Sequence, residues 1–209
     1  MNDLHGILFA YRSNAGLGEL TRPRNTCSLP FGGRYRLIDF MLSNYVNAGI
    51  TDVGVIVHES YQSLLDHLGS GKDWDLSRKH GGLRILPPFG YAGRGPGREY
   101  EGNMDALSGV RDYLKTIRQN YVILSWGDTV LNFSVADMLR QHIQSGARNL
   151  AACEGVCERG LVHQRPARGV EQKDPVFHAV ERLAVYDALR LRREGTVQAD
   201  DVTFAEQLV

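Results

Sequence analysis

Cysteine is scarce in this 209-residue chain, which has only Cys27, Cys153 and Cys157. An odd and sparse set builds no disulfide framework and fits a reducing compartment. An excess of one charge is missing as well: lysine plus arginine and aspartate plus glutamate both number 24. A balanced surface implies no polyanionic partner, so no nucleic acid is expected. No apolar run reaches the roughly 18 residues of a membrane span, so no membrane association is expected either. Met1–His5 has no basic segment followed by a long apolar stretch, so no secretory signal is read and a cytoplasmic location is expected. What is present is ordinary: 43% hydrophobic residues, enough for the core of one α/β domain.

Glycine is missing from one place where it would be informative. Ile7-Leu8-Phe9-Ala10 reads as a buried first strand, and the turn after it stands where nucleotide-handling α/β proteins carry a glycine-rich phosphate loop. Such a loop needs residues without side chains, so that backbone N–H groups can approach the anion. Here Tyr11, Arg12, Ser13 and Asn14 occupy the turn.

Strand-like and helix-like runs alternate to about residue 146, the signature of βαβ units and a mainly parallel sheet. Strands are predicted at His5–Ala10, Val53–Val57, Leu83–Leu86 and Tyr121–Ser125. Helices are predicted over Arg36–Ala48, after a Ser60 cap, over Met104–Ile117, and over Phe133–Gln144 with Ser134 as cap. Residues 147–173 show neither period, and a helix is predicted around Phe177–Arg193. Cys153, Cys157 and His163 raise zinc as a thought, but a closed structural site needs four ligands at suitable spacing.

The segment from Arg24 through Pro30-Phe31-Gly32-Gly33-Arg34-Tyr35-Arg36-Leu37-Ile38-Asp39-Phe40 has a recognisable order. With Leu20-Thr21, Leu42-Ser43-Asn44 and Gly127-Asp128, it resembles the nucleotidyltransferase domain of the bacterial glucose-1-phosphate adenylyltransferase (ADP-glucose pyrophosphorylase) family. Within that family the chain is most similar to GlgD-type subunits, which are regarded as catalytically poor partners of a catalytic subunit. The resemblance covers residues 4–146. It implies a Rossmann-like, GT-A-like α/β fold with a mainly parallel sheet, incomplete at the C-terminus.

In active members the loop reads Leu-Ala-Gly-Gly-x-Gly-x-Arg-Leu. On this chain the leucine and alanine fall at Phe9 and Ala10, the glycines at Tyr11, Arg12 and Asn14, and the arginine at Gly16. The family's lysine corresponds to Thr26. Both cations that would stabilise charge on the departing pyrophosphate are therefore absent, unless Arg12 swings in to replace one. Gly102 and Asp105 match a helix entry that lines base and ribose, although Asp105 also suits a helix N-terminus through the dipole alone. Asp128 matches a carboxylate that helps hold Mg²⁺ in the family, or is a solvated turn aspartate. Arg34 and Arg36 could meet phosphate or a partner, or pair with acids such as Asp39.

The expected domain is 1–146, followed by an atypical tail, 147–209, read as truncated or frameshifted, without the family's β-helix. A sheet lacking its later strands would leave an unpaired edge. The expected role is a glycogen-synthesis subunit that associates with a catalytic subunit through helix 36–48 or the loop around 90–103. The alternatives are an active adenylyltransferase and a sugar-phosphate or nucleotide sensor without turnover.

Overall fold

A computed structural model describes residues 3–12, 15–87, 100, 102–145, 149–152 and 183–187. Its sheet begins with β1 (Leu4–Ala10), β4 (Asp52–Val57), β5 (Gly82–Leu86) and β6 (Tyr121–Trp126), all parallel. Every residue of β1 is buried, as expected of a strand covered on both faces. A short antiparallel hairpin, β2 (Pro30–Phe31) with β3 (Tyr35–Arg36), leads into helix α1 (Leu37–Asn47). Asp39 Oδ2 accepts the Arg36 backbone N–H at 2.9 Å and so ties down the first turn of α1.

Helices α1, α2 (Gln62–Leu68) and α5 (Val135–Ser145) cover one face, where Leu8, Met41, Tyr45, Val55, Leu64 and Met138 pack together. Helices α3 (Asn103–Gly109) and α4 (Arg111–Thr116) cover the other, over Ile7, Phe9, Ile56, Leu107, Leu114 and Leu124. Ser134 caps α5 as read from sequence, its Oγ accepting the Asp137 N–H at 3.2 Å.

Four expectations are corrected. The helix predicted over Met104–Ile117 is two helices, broken at Val110 (φ −111°, ψ 21°). The α2 cap position is Tyr61 and not Ser60, which adopts a positive φ of 50°. The helix predicted around Phe177–Arg193 contains strand β8 (Leu183–Asp187), antiparallel to β6 with Ala184 opposite Leu124. The residues after 146 that showed no period include β7 (Asn149–Ala152), antiparallel to β8. The strand order is β5-β4-β1-β6-β8-β7, so the far edge of β6 is paired rather than open. Leu-Ala-Val-Tyr-Asp has no helix-breaking residue, and pairing with a central strand overrides its ambiguous local preference.

At the N-terminal end of the sheet His5 is buried, with Nε2 3.1 Å from the Tyr113 hydroxyl. Burial lowers its pKa from 6.5 to about 4; the nearby Asp52 carboxylate opposes that shift and Arg84 adds to it. The unfolded chain therefore takes up a proton near pH 6.5 that the folded chain refuses until about pH 4. Stability should fall as pH drops through that window, by at most about 3 kcal/mol from this residue. Urea midpoints measured at pH 7 and pH 4.5 should drop more for the native chain than for His5→Gln. Parallel curves for the two would refute the assignment.

Candidate functional site

The chain leaves β1 toward β4 on one side, whereas β6 lies on the other side of β1. The crevice between the carboxyl ends of β1 and β6 is thus the topological switch point, where open α/β sheets bind ligands. The two strand ends are stitched by the Gly127 N–H donating to Phe9 O at 2.9 Å. A Cβ at Gly127 would lie 3.1 Å from Cys27 Sγ, a tight contact that glycine avoids.

The turn after β1 is packed with side chains. Tyr11 is half-buried, and its ring lies 5.2 Å from that of Trp126 and 4.9 Å, edge-on, from that of Tyr100. Its hydroxyl donates to Asn103 Oδ1 at 2.9 Å, across the crevice to the first residue of α3. Arg12 is exposed, and its guanidinium lies 3.8 Å over the Trp126 ring. Tyr100 meets His58, at the end of β4, with centroids 5.0 Å apart. Burial pushes the Tyr11 phenol well up, with the Arg12 charge working against it, so the hydroxyl is a neutral donor at physiological pH.

The remaining positions read from sequence fall around this cluster. The Ala10 carbonyl accepts the Asn25 side-chain N–H at 2.8 Å, and the Thr26 N–H donates to Arg12 O at 3.4 Å. Gly16 sits exposed in a 3₁₀ segment, Ala15–Leu20. Thr26, in the lysine position of the resemblance, is buried, and its hydroxyl has no partner among the described residues. Gly102 is extended just before α3, and Asp105 lies in the first turn, close enough for its charge to act on Tyr11. Asn14, Cys153, Cys157 and His163 lie outside the described residues. Arg36 is not free for phosphate: its guanidinium is held by Ser28 Oγ, Ser63 Oγ and the Ser63 carbonyl.

Asp128 is half-buried at the end of β6, and its charge helps burial to raise the Cys27 thiol pKa. A magnesium site needs oxygen donors around an octahedron. No cluster of three or more His, Cys, Asp or Glu side chains that could hold a metal occurs among the described residues. Asp128 alone does not make such a site. In the sequence Trp126 reads as a packing residue, which its burial in the core bears out; what sequence reading missed are two partners of the turn, Asn103 as acceptor and Tyr100 as a wall.

Known proteins agree with this architecture. Residues 15–160 match the family described as Nucleotidyl transferase. The chain is 38% identical over 145 residues to a glucose-1-phosphate adenylyltransferase from Halalkalibacterium halodurans, covering 69% of this chain and 37% of that one. It is 39% identical over 145 residues to the glycogen biosynthesis protein GlgD of Geobacillus stearothermophilus, covering 69% and 42%. The chain thus spans about two fifths of the length of the curated relatives it matches. A solved Bacillus anthracis structure, assigned as a glucose-1-phosphate thymidylyltransferase, superposes with a TM-score of 0.61 at 16% identity, over 88% of this chain and 72% of that one. That likeness shows the fold. No helix among the described residues is long and apolar enough to cross a membrane. The chain belongs to the nucleotidyl transferase family, on the branch that holds the glucose-1-phosphate adenylyltransferases and GlgD.

Proposed function

We propose that this chain serves glycogen synthesis as a GlgD-like subunit of glucose-1-phosphate adenylyltransferase. It does not run the reaction of ATP with glucose 1-phosphate, and it acts by binding a catalytic subunit and changing its rate. One observation carries the reading: Tyr11 and Arg12, packed on Tyr100 and Trp126, stand where bare backbone amides would have to meet a triphosphate. Thr26 adds to it, since a buried neutral hydroxyl cannot supply the positive charge of a lysine. The similarity to GlgD proteins, which are named for glycogen biosynthesis, supports a role in that synthesis.

Coexpression with a catalytic glucose-1-phosphate adenylyltransferase, followed by affinity capture of this chain, should bring the catalytic subunit down in fixed ratio. The captured enzyme should show a changed pyrophosphate release rate relative to the catalytic subunit alone. Clean separation of the two proteins would remove the partner assignment.

A further inference from the structure

We infer that the outer face of the β2–β3 hairpin and α1 is a self-association surface, by which this chain pairs with a second copy of itself across a twofold axis. The inference goes beyond the proposed function and does not rest on it. Phe31 is 49% exposed and Tyr35 53%, and neither belongs to the packing on either face of the sheet. Both rings lean on Phe40 of α1, with centroids 5.4 Å and 6.3 Å away. Water therefore meets an aromatic cluster that neither core uses. α1 extends the same face: Leu37, Phe40, Ser43 and Asn47 lie along one stripe of the helix, the first two half-buried and the last two exposed. The only charged residue of α1, Asp39, is turned inward to the Arg36 N–H and His67 Nε2. A water-facing helix stripe ordinarily carries charge, so an uncharged one beside exposed aromatic rings has the composition of an interface core.

Self-complementarity selects the occupant. Across a twofold axis each group near the axis faces its own copy, so a charged face repels itself. Between Pro30 and Asn47 the one fully exposed charge is that of Arg34, beside the hairpin turn. The Ser43 hydroxyl and the Asn47 amide each donate and accept, so each can pair with its own kind. A polyanion or an anionic membrane would require a cluster of cations, which this face lacks. The surface is also held ready: the Arg36 guanidinium fixes the base of the hairpin to Ser28 and Ser63, so association leaves little to be ordered. An aromatic side chain offers about 150–250 Å², so the exposed parts of Phe31 and Tyr35 on two copies together supply roughly 400 Å². A stable pair buries about 1,200 Å² or more, which requires the α1 stripe to join the contact and makes the pair a weak one.

Sedimentation velocity of the purified full chain tests this. The chain should be largely dimeric by about 200 µM, with a dissociation constant of about 10 µM for a contact this small. Phe31→Glu sets two like charges against each other and should weaken pairing at least about thirtyfold, as should Phe31→Lys. An equimolar mixture of the two variants should pair again, because a residue near the axis faces its own counterpart. A native chain that stays monomeric to about 200 µM would overturn the inference, as would a dimer that Phe31→Glu leaves intact. A mixture that remains monomeric overturns the twofold arrangement. If the native chain is monomeric and Phe31→Glu loses a captured catalytic subunit, the face belongs to that subunit, which also overturns the second copy. A thermal transition confirms the folding of each variant. Should either lack one, the same two substitutions at Tyr35, on the other strand of the hairpin, carry the test.

Discussion

Supplied with ATP, magnesium and glucose 1-phosphate, the purified chain alone is expected to release pyrophosphate at least about 10³-fold more slowly than an active relative assayed beside it. In phosphoryl and nucleotidyl transfer the protein contributes position and charge, because there is little covalent chemistry for it to perform. Both contributions are compromised here. Position depends on backbone N–H groups lying against the phosphates, and the described part of the turn carries the side chains of Tyr11 and Arg12. Charge depends on cations aimed at the departing pyrophosphate. Gly16 has none to offer, Thr26 is neutral and buried, and the Arg12 guanidinium is stacked on Trp126. Removing a single preorganised donor from such a site costs about 10²–10³ in rate, so losses at two positions exceed the lower bound given. Asp128→Asn should leave the residual rate unchanged, since a carboxylate has no metal to present when the triphosphate is not seated. Turnover within about tenfold of the active relative, lost in Asp128→Asn, would place the chain among working adenylyltransferases instead.

Much of this arrangement was legible in the residues. Fully apolar runs at β1, β4 and β6 announced a sheet covered on both faces, and helical spacing placed α1, α2 and α5 within a residue or two of their observed ends. The C-terminal strands were not legible. β8 is a five-residue segment whose strand character comes from its pairing with β6, and no periodicity within it could reveal a partner about 60 residues earlier. The candidate site divides in the same way. The wrong residue types for a phosphate cradle could be read directly at Tyr11 and Arg12, because that judgement needs only the local turn. Which residues hold those side chains in place could not, because Tyr100, Asn103 at the start of α3 and Trp126 at the end of β6 are all about 90 or more residues away in sequence. Local chemistry is written in consecutive residues; the closing of a crevice is a long-range fact.

The largest effect on stability is expected at Tyr45, which fixes how the two strands flanking the crevice sit on α1. Its side chain is fully buried, and the hydroxyl lies 2.7 Å from Ser125 Oγ on β6 and 3.2 Å from the Ile7 carbonyl on β1. The ring crosses the middle of β1 at Gly6, where a Cβ would come within 2.6 Å of two ring carbons. Glycine is required at that point by the close approach of the ring and not by backbone conformation. Tyr45→Ala should cost about 4 kcal/mol, from the cavity left by the ring together with the stranded Ser125 hydroxyl. That is a large part of the roughly 5–15 kcal/mol available to a domain of this size. Tyr45→Phe keeps the ring and should cost only about 1 kcal/mol. Gly6→Ala should cost about 2–3 kcal/mol in the native background, because the added methyl must displace a packed ring. The decisive comparison is the double variant. With the ring gone, the Gly6→Ala methyl enters the space it vacated, so the two losses should fall short of additivity by about 1–3 kcal/mol. Urea unfolding of the four proteins measures this directly. Additive losses would mean that Tyr45 and Gly6 do not share the contact, and that α1 is seated on the sheet by some other means.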